Sequence, residues 1–351
     1  MENPILVEAL RGDTVESFHR GAVAVVDDHG RMLWSCGDVE RAVFPRSAVK
    51  LLQALPLVAS GAAQRLALTD SELALACASH GGETAHTQTA AAMLGKAGVD
   101  AGILACGAHW PSHEASAREL ARSGGQPTAL NNNCSGKHAG FVCVGCALSG
   151  LTGRPLVDYM RHYVEPDHPV MREVTRAMSV ATDFDVARAP RGIDGCSIPT
   201  YALPLYNLAL GFARAATGHG LPAPWAQAAQ RLREAIAQAP LMVAGTGRFD
   251  TRVMQRLGPR VCCKIGAEGV YCASLPERGL GVALKMDDGN TSRAAEVVMA
   301  ALIQALLPLS EDDAAALHAL SDLELRNWQG RSVGRLRAAS ALRTALSGLG
   351  H

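Results

Sequence analysis

Aromatic side chains are scarce: Phe, Trp and Tyr together make up 4% of the 351 residues. So few rings argue against a surface that works by stacking nucleic-acid bases. An excess of one charge is missing too, since Lys+Arg and Asp+Glu each number 33, and no basic block interrupts the text. Phosphate-backbone binding needs clustered positive charge, so a nucleic-acid partner and an anionic membrane are both set aside. No apolar run approaches the ~20 residues that cross a bilayer. The opening MENPILVEALRGD lacks the basic region and apolar stretch of a secretory signal, so a cytoplasmic location is expected. There the ten cysteines are expected to be reduced. Most lie in apolar segments (Cys36, Cys77, Cys106, Cys143, Cys262, Cys272), where a thiol packs as a small hydrophobe. With 48% hydrophobic and 19% charged residues, the composition is that of a globular, core-forming protein.

Residues 4–36 alternate and break at DDHG (27–30), which predicts strands around a hairpin turn. After Pro45, SAVKLLQALPLVAS has helical spacing, as do SELALACA (71–78) and residues 84–97. The middle, to about residue 240, reads mainly as helix and loop. Past residue 259, RVCCKIGAEGVYCASLPERGLGVALKMDDGN is three apolar runs separated by GAEG, PERG and DDGN, the pattern of an antiparallel meander. Residues 292–308 return to helix, and RLRAASALRTAL predicts another. Strands at both ends and helices between them point to an α/β (α+β) chain. Its terminal strands are expected to pair into one antiparallel sheet, with the helical middle (about 45–255) packed beside it. Residues 1–351 are read as one domain, without tandem units.

Three short motifs carry serine or lysine. In Ser47-Ala-Val-Lys50 the hydroxyl and the amine are three apart and share a helix face. The positive end of a helix and partial burial both ease loss of the ammonium proton, and a neutral lysine beside a serine is a general base for a nucleophile. A serine cap beside an exposed lysine would give the same text. Cys77-Ala-Ser79-His80-Gly81-Gly82-Glu83 puts a serine at a corner after a helical segment, as an ordinary helix-ending turn also would. Lys264-Ile265-Gly266 closes the first meander strand, where a glycine allows close approach; a solvent-facing lysine at a strand end reads alike. The order of the three is more specific than any one of them. S-x-x-K, then a loop serine, then K-x-G on a late strand is the layout of penicillin-binding and β-lactamase-type serine hydrolases. Ser79-His80-Gly81 replaces S-D-N here, which sets the chain apart from an ordinary β-lactamase.

NNNCSGKHAGF (131–141) adds a thiol, a hydroxyl, an amine and an imidazole within five residues. Cys134 and Lys137 are three apart, and Asp194 and Cys196 are two apart in GIDGCSIPT; alternate residues of an extended segment project to one side. Two thiols, a carboxylate and either His138 or Lys137 form a donor set for zinc, although two buried thiols in a hydrogen-bonded loop would look the same. CVGC (143–146) lacks a second C-x-x-C and lies in an apolar helix, so it reads as core. HWPSH (109–113) reads as a rigid loop without metal.

PRSAVKLLQALP, CASHGGE, NNNCSGKHAGF, GIDGCSIPTYALPL, AGTGR and KIGAEGVY, in this order, resemble the L-asparaginase II family from about residue 5 to residue 310. The resemblance implies a homodimeric hydrolase of β-lactamase-like fold that converts L-asparagine to L-aspartate and ammonia. It implies two Ser–Lys tandems, Ser47 with Lys50 and Ser79 with Lys264, and a zinc site at Cys134, Lys137 and Cys196 with Asp194 and His138 close by. On this reading Ser47 attacks the side-chain amide while Lys50 takes its proton. Ser79 and Lys264 then shuttle protons or stabilise the oxyanion. Arg46 or the amides of the turn at Gly81 are expected to receive the α-carboxylate, and Glu83 the α-ammonium, with His80 and His138 completing the substrate set. Zinc is expected to position substrate, since thiolate-rich sites are usually structural. The rivals are another serine amidase, esterase or β-lactamase-like hydrolase, and a non-catalytic small-molecule or zinc-binding protein. Two intact Ser–Lys pairs argue against the latter.

Overall fold

The computed structural model describes residues 2–349. The long strand Thr14–Asp27 organises the molecule. Its first half pairs with Ile5–Arg11, and its second half pairs with Leu280–Met286 in a register running from Gly21↔Met286 to Asp27↔Leu280. At the changeover stands Gly21, where a Cβ would lie 2.5 Å from the Lys285 carbonyl oxygen; only a bare Cα lets the two backbones pass this closely. The resulting eight-stranded antiparallel sheet runs Asp322–Arg326, Ser332–Ala338, Ile5–Arg11, Thr14–Asp27, Leu280–Met286, Val270–Leu275, Cys262–Ile265, and Met32–Cys36 pairs with Thr14–Asp27 off this path. Both chain ends build it and the helical middle lies between them, as the sequence predicts.

Val23, Ala24, Val25 and Val26 are fully buried although they alternate sides. Such a run marks a strand covered on both faces. One cover is the helix Leu205–Thr217, which meets Leu280–Met286 so closely that a Cβ on Gly281 would stand 1.9 Å from the Ala209 carbonyl oxygen. Towards the far edge, Glu296–Leu306 and Ser340–Leu346 pack against Ile5–Arg11 and Ser332–Ala338. In the middle of the chain, Ser135–Thr152 is buried nearly all round, as befits a central helix. Its Gly136 sits against Leu75 of the helix Asp70–Ala76, which opens with a reciprocal Thr69–Glu72 capping box. One contiguous buried cluster links these layers. Among the described residues no helix is long and apolar enough to cross a membrane.

Near the C-terminus one segment departs from its predicted type. Residues 335–338 were expected to be helical, yet they finish the strand Ser332–Ala338; the helix begins only at Ser340. Ala, Leu and Arg favour helix by propensity, but pairing with Ile5–Arg11 and with Asp322–Arg326 overrides it. The strand Asp322–Arg326 itself carried too few apolar residues to be read as one.

Candidate active site

Ser47 lies in a short 3-10 turn, Arg46–Val49, that runs directly into the helix Lys50–Gln53. Arg46 holds a left-handed φ of 52°, a strained conformation for a side chain with a Cβ. The turn is closed from below by Gly266, whose Cβ would meet the Pro45 carbonyl oxygen at 2.6 Å. Ser79 follows the helix Asp70–Ala76, and its amide donates to the Val243 carbonyl oxygen at 2.9 Å. Lys50 is wholly buried between the two serines' segments. Its Nζ donates to Ser79 Oγ at 2.8 Å, to Cys134 Sγ at 3.2 Å, and to the Ala78 carbonyl oxygen. The expected partner, Ser47, makes no side-chain hydrogen bond among the described residues. Sequence spacing brings Ser47 and Lys50 to one turn, but the lysine side chain runs inward to the acceptors on the 78–79 corner. Burial, reinforced by the Lys137 charge and opposed by the thiols of Cys134 and Cys196, lowers the Lys50 pKa.

Lys264 is the second buried amine, 2% exposed. Its Nζ donates to the neighbouring Ile265 carbonyl oxygen at 2.8 Å and stands 4.0 Å from Asp250 Oδ2. No hydrogen bond joins it to Ser79, so the second expected tandem is not formed as a contact. Burial brings its pKa down to about 7 against the pull of the Asp250 carboxylate, with Lys50 and Arg248 reinforcing the shift. Asp250 is itself buried; Tyr271 Oη donates to it, as does the Ile265 amide at 3.3 Å. This framework fixes the end of the strand on which Lys264 sits.

Cys134 precedes the helix Ser135–Thr152, and Lys137 lies in its first turn. Lys137 Nζ donates to Cys196 Sγ at 2.8 Å, and Lys50 Nζ donates to Cys134 Sγ at 3.2 Å. The neighbouring Cys196 thiol and the charges of Lys137 and Lys50 hold Cys134 well below the usual thiol range, while the proximity of Cys134 and burial push Cys196 up, so the two titrate as a pair. Burial works against the Lys137 ammonium, but the two sulfurs outweigh it and raise its pKa. Asp194 does not join them. Residues 194–198 form a tight turn in place of an extended run, with the Asp194 amide on the Ile198 carbonyl and the Ser197 amide on the Asp194 carbonyl. The two side chains therefore part: Cys196 turns to Lys137, and Asp194 receives Arg46, Nε at 2.8 Å and a terminal nitrogen at 2.7 Å. His138 Nδ1 meets Tyr163 Oη at 2.6 Å, while its buried Nε2 has no partner. Among the described residues, one group of three His, Cys, Asp or Glu side chains brings its ligand atoms within 4.8 Å of one another. It is Asp28, His29 and His219, none of which lines the cleft described next.

Ser47 and Ser79 share a cleft of about 470 Å³. His80, Ser112, Asn133, Arg248, Asn290, Thr291, Ser292, Glu296 and residues 265–267 complete its walls. The segment Thr291–Ala295 is a π-helical turn leading into Glu296–Leu306, and such turns concentrate at functional sites. A model of the L-asparaginase II family matches residues 7–338, nearly the whole chain. This chain is a member of the L-asparaginase II family. No curated protein matches it. Membership makes it an asparaginase-type amidohydrolase.

The other residues expected to touch substrate in this asparaginase II chain are mostly held elsewhere. Arg46 is committed to Asp194. Glu83 binds Thr246 with both oxygens, Oε1 to the amide at 2.8 Å and Oε2 to Oγ1 at 2.7 Å. Gly81 accepts from the His113 amide through its carbonyl and does not line the cleft, and His138 is buried behind it. His80 does line the cleft, but both its ring nitrogens are used. Nδ1 accepts from the Gly82 amide at 3.1 Å, which leaves Nε2–H to donate to Ser135 Oγ at 3.0 Å. Its pKa sits well below the usual imidazole range because of burial and the nearby His86 and Lys50, so it acts as a neutral brace for the Ser79 corner. Arg248 and Glu296 went unassigned in the sequence. Arg248 ends AGTGR, where Gly245 and Gly247 have left-handed φ of 111° and 73°; paired glycines around one threonine were the available signal. Glu296 had none beyond being a lone carboxylate at the head of an apolar helix.

Proposed function

We propose that this protein hydrolyses L-asparagine to L-aspartate and ammonia through a Ser–Lys pair. The observation that carries the reading is the 2.8 Å contact between Lys50 Nζ and Ser79 Oγ at the wall of the cleft, in a chain of the L-asparaginase II family. Ser79 Oγ attacks the side-chain amide carbon, and its proton passes to Lys50, whose burial favours the neutral amine. Collapse of the tetrahedral intermediate breaks the C–N bond. The nitrogen leaves as ammonia with the proton returned by Lys50, and water then attacks the acyl ester by the same route in reverse. Ser47, with its hydroxyl free in the same cleft, contacts the substrate or relays protons. Lys264 supplies a second amine poised near neutrality.

Zinc is part of the proposal. The neighbouring free sulfurs of Cys134 and Cys196, with Lys137 Nζ at 2.8 Å from one of them and able to join once a metal displaces its proton, are a soft donor set of the kind zinc takes; Asp194, turned to Arg46, is outside it. When bound, the metal would supply positive charge that helps orient the substrate. We further propose that the chain works as one domain, as a homodimer, in the cytoplasm.

The test is ammonia release by the purified chain from L-asparagine, L-glutamine and D-asparagine, with and without added zinc, for wild type, Ser79→Ala and Ser47→Ala. Release from L-asparagine is expected. Ser79→Ala should lose on the order of 10³-fold or more in kcat, the scale of nucleophile loss, and Ser47→Ala less. If Ser79→Ala turns over normally while Ser47→Ala is dead, the nucleophile is Ser47 and the assignment falls.

A further inference from the structure

Arg248 and Glu296 are an unusual pair of charges. Both line the cleft that holds Ser47 and Ser79. Both are half-buried, where an unpaired charge is unfavourable. Neither side chain makes a hydrogen bond or an ion pair among the described residues. They lie near enough for the Arg248 charge to act on Glu296, yet no nitrogen–oxygen distance between them falls within 4.0 Å. Elsewhere the chain pairs its charges readily: Arg46 with Asp194, Arg260 with Glu277, Arg337 with Glu8. A cation and an anion that face one cavity without closing on each other leave room for a ligand carrying the opposite charges in the opposite order.

We propose that Arg248 and Glu296 form the head-group subsite for a zwitterionic α-amino acid, Arg248 taking the α-carboxylate and Glu296 the α-ammonium. The inference rests on the amidohydrolase reading of the same cleft and identifies the groups that orient its substrate. The chemistry suits the two residues. A guanidinium presents a planar fork to a carboxylate, and a carboxylate accepts the hydrogens of an ammonium. Burial and the neighbouring Asp250 push the Glu296 carboxyl up to about 7, with Arg248 and Arg252 opposing; an arriving ammonium supplies the missing counter-charge. The local structure is built for placement. The π turn Thr291–Ala295 puts Asn290, Thr291 and Ser292 on the wall and Glu296 at its end, and the glycines at 245 and 247 set the approach to Arg248. With the amide carbon at the serines, three separate attachment points define a hand, so this one subsite is expected to select both a free α-amino acid and its L form.

Four amides test this with the full-length protein: L-asparagine, D-asparagine, succinamic acid, which lacks the α-amine, and 3-aminopropanamide, which lacks the α-carboxylate. Charge-assisted contacts of this kind correspond to roughly 10- to 100-fold in kcat/KM. Wild type is expected to favour L-asparagine over each truncated amide by that factor, mainly through KM. Arg248→Met should collapse the preference over 3-aminopropanamide while keeping most of the preference over succinamic acid. Glu296→Gln should do the reverse, and both should erode discrimination against D-asparagine. A parallel loss on all four amides, or no loss, would overturn the assignment. Calorimetric binding of L-aspartate is read alongside. If wild type hydrolyses none of the amides, the hydrolase reading fails, yet weaker L-aspartate binding by both variants would still support the subsite; unchanged binding, or none by wild type, would sink it. Should either variant melt early, Arg248→Lys and Glu296→Asp are expected to show the same crossed pattern in milder form, and its absence there counts against the proposal.

Discussion

Lys50, Lys137 and Lys264 are all almost fully buried, and their surroundings give them different roles. Lys137 faces two sulfurs and stays an ammonium. Lys264 faces one carboxylate at 4.0 Å and a larger desolvation, which brings it to about 7. A buried amine gains basic function only once it has lost its proton, so if Lys264 serves as a base or relay, kcat/KM should rise with pH through about 7. Asp250 raises the Lys264 pKa, so Asp250→Asn should move that limb towards acid, and a pH–rate profile of the two proteins measures it. An unmoved limb would take Lys264 out of the proton path. Spacing along the chain singles out Lys50 and Cys134, Lys137 and Cys196, and the fold buries all four. It pairs Lys50 with Ser47, whereas the amine contacts Ser79, because a shared helix face says which residues are neighbours and not which distant acceptor a long side chain reaches.

At the scale of elements, the site is made where the strand Cys262–Ile265 ends against the turn Arg46–Val49. Gly266 is the contact, with the Pro45 carbonyl oxygen at 2.6 Å and the Ala48 Cβ at 3.1 Å from the position a Cβ would take. Gly266→Ala is therefore expected to push the two elements apart. Overpacking of this kind destabilises by about 1–3 kcal/mol, and here it is also expected to displace Ser47 from the cleft and to shift Lys264 behind it. A melting curve together with kcat checks both effects; a variant of normal stability and normal turnover would show that the closure does not matter. The K-x-G spacing was visible in the sequence, but the reason differs from the one expected: the glycine makes room for the 45–48 backbone. The GIDGCSIPT segment shows the opposite error, an extended reading of residues that turn tightly between two short strands.

Across the whole molecule, residues from the two chain ends share one sheet, so distant parts of the sequence depend on each other. The strand Ile5–Arg11 has Ser332–Ala338 as its outer neighbour, and Leu336, Ala338, Leu342 and Leu346 are buried in the same cluster as Leu6 and Val7. Ending the chain after Ser321 would expose that strand as an edge and uncover its apolar face, a recipe for association. Such a truncation should melt at lower temperature and elute as aggregate in size-exclusion chromatography, although it removes no residue of the cleft. A monodisperse, equally stable product would mean that the C-terminal hairpin is dispensable.

What the sequence determined by itself is the inventory and the class. It yields strands at the two ends around a helical middle, reduced thiols packed as hydrophobes, and a chain of motifs specific enough to place the family. Those properties are local, set by periodicity, turn residues and short-range spacing. Tertiary structure decided the partnerships: Ser79 for Lys50, Arg46 for Asp194, Thr246 for Glu83, and the convergence of Arg248 and Glu296 on the serines. Each joins residues many positions apart, and a buried polar group takes whichever partner the packed chain brings within hydrogen-bond reach.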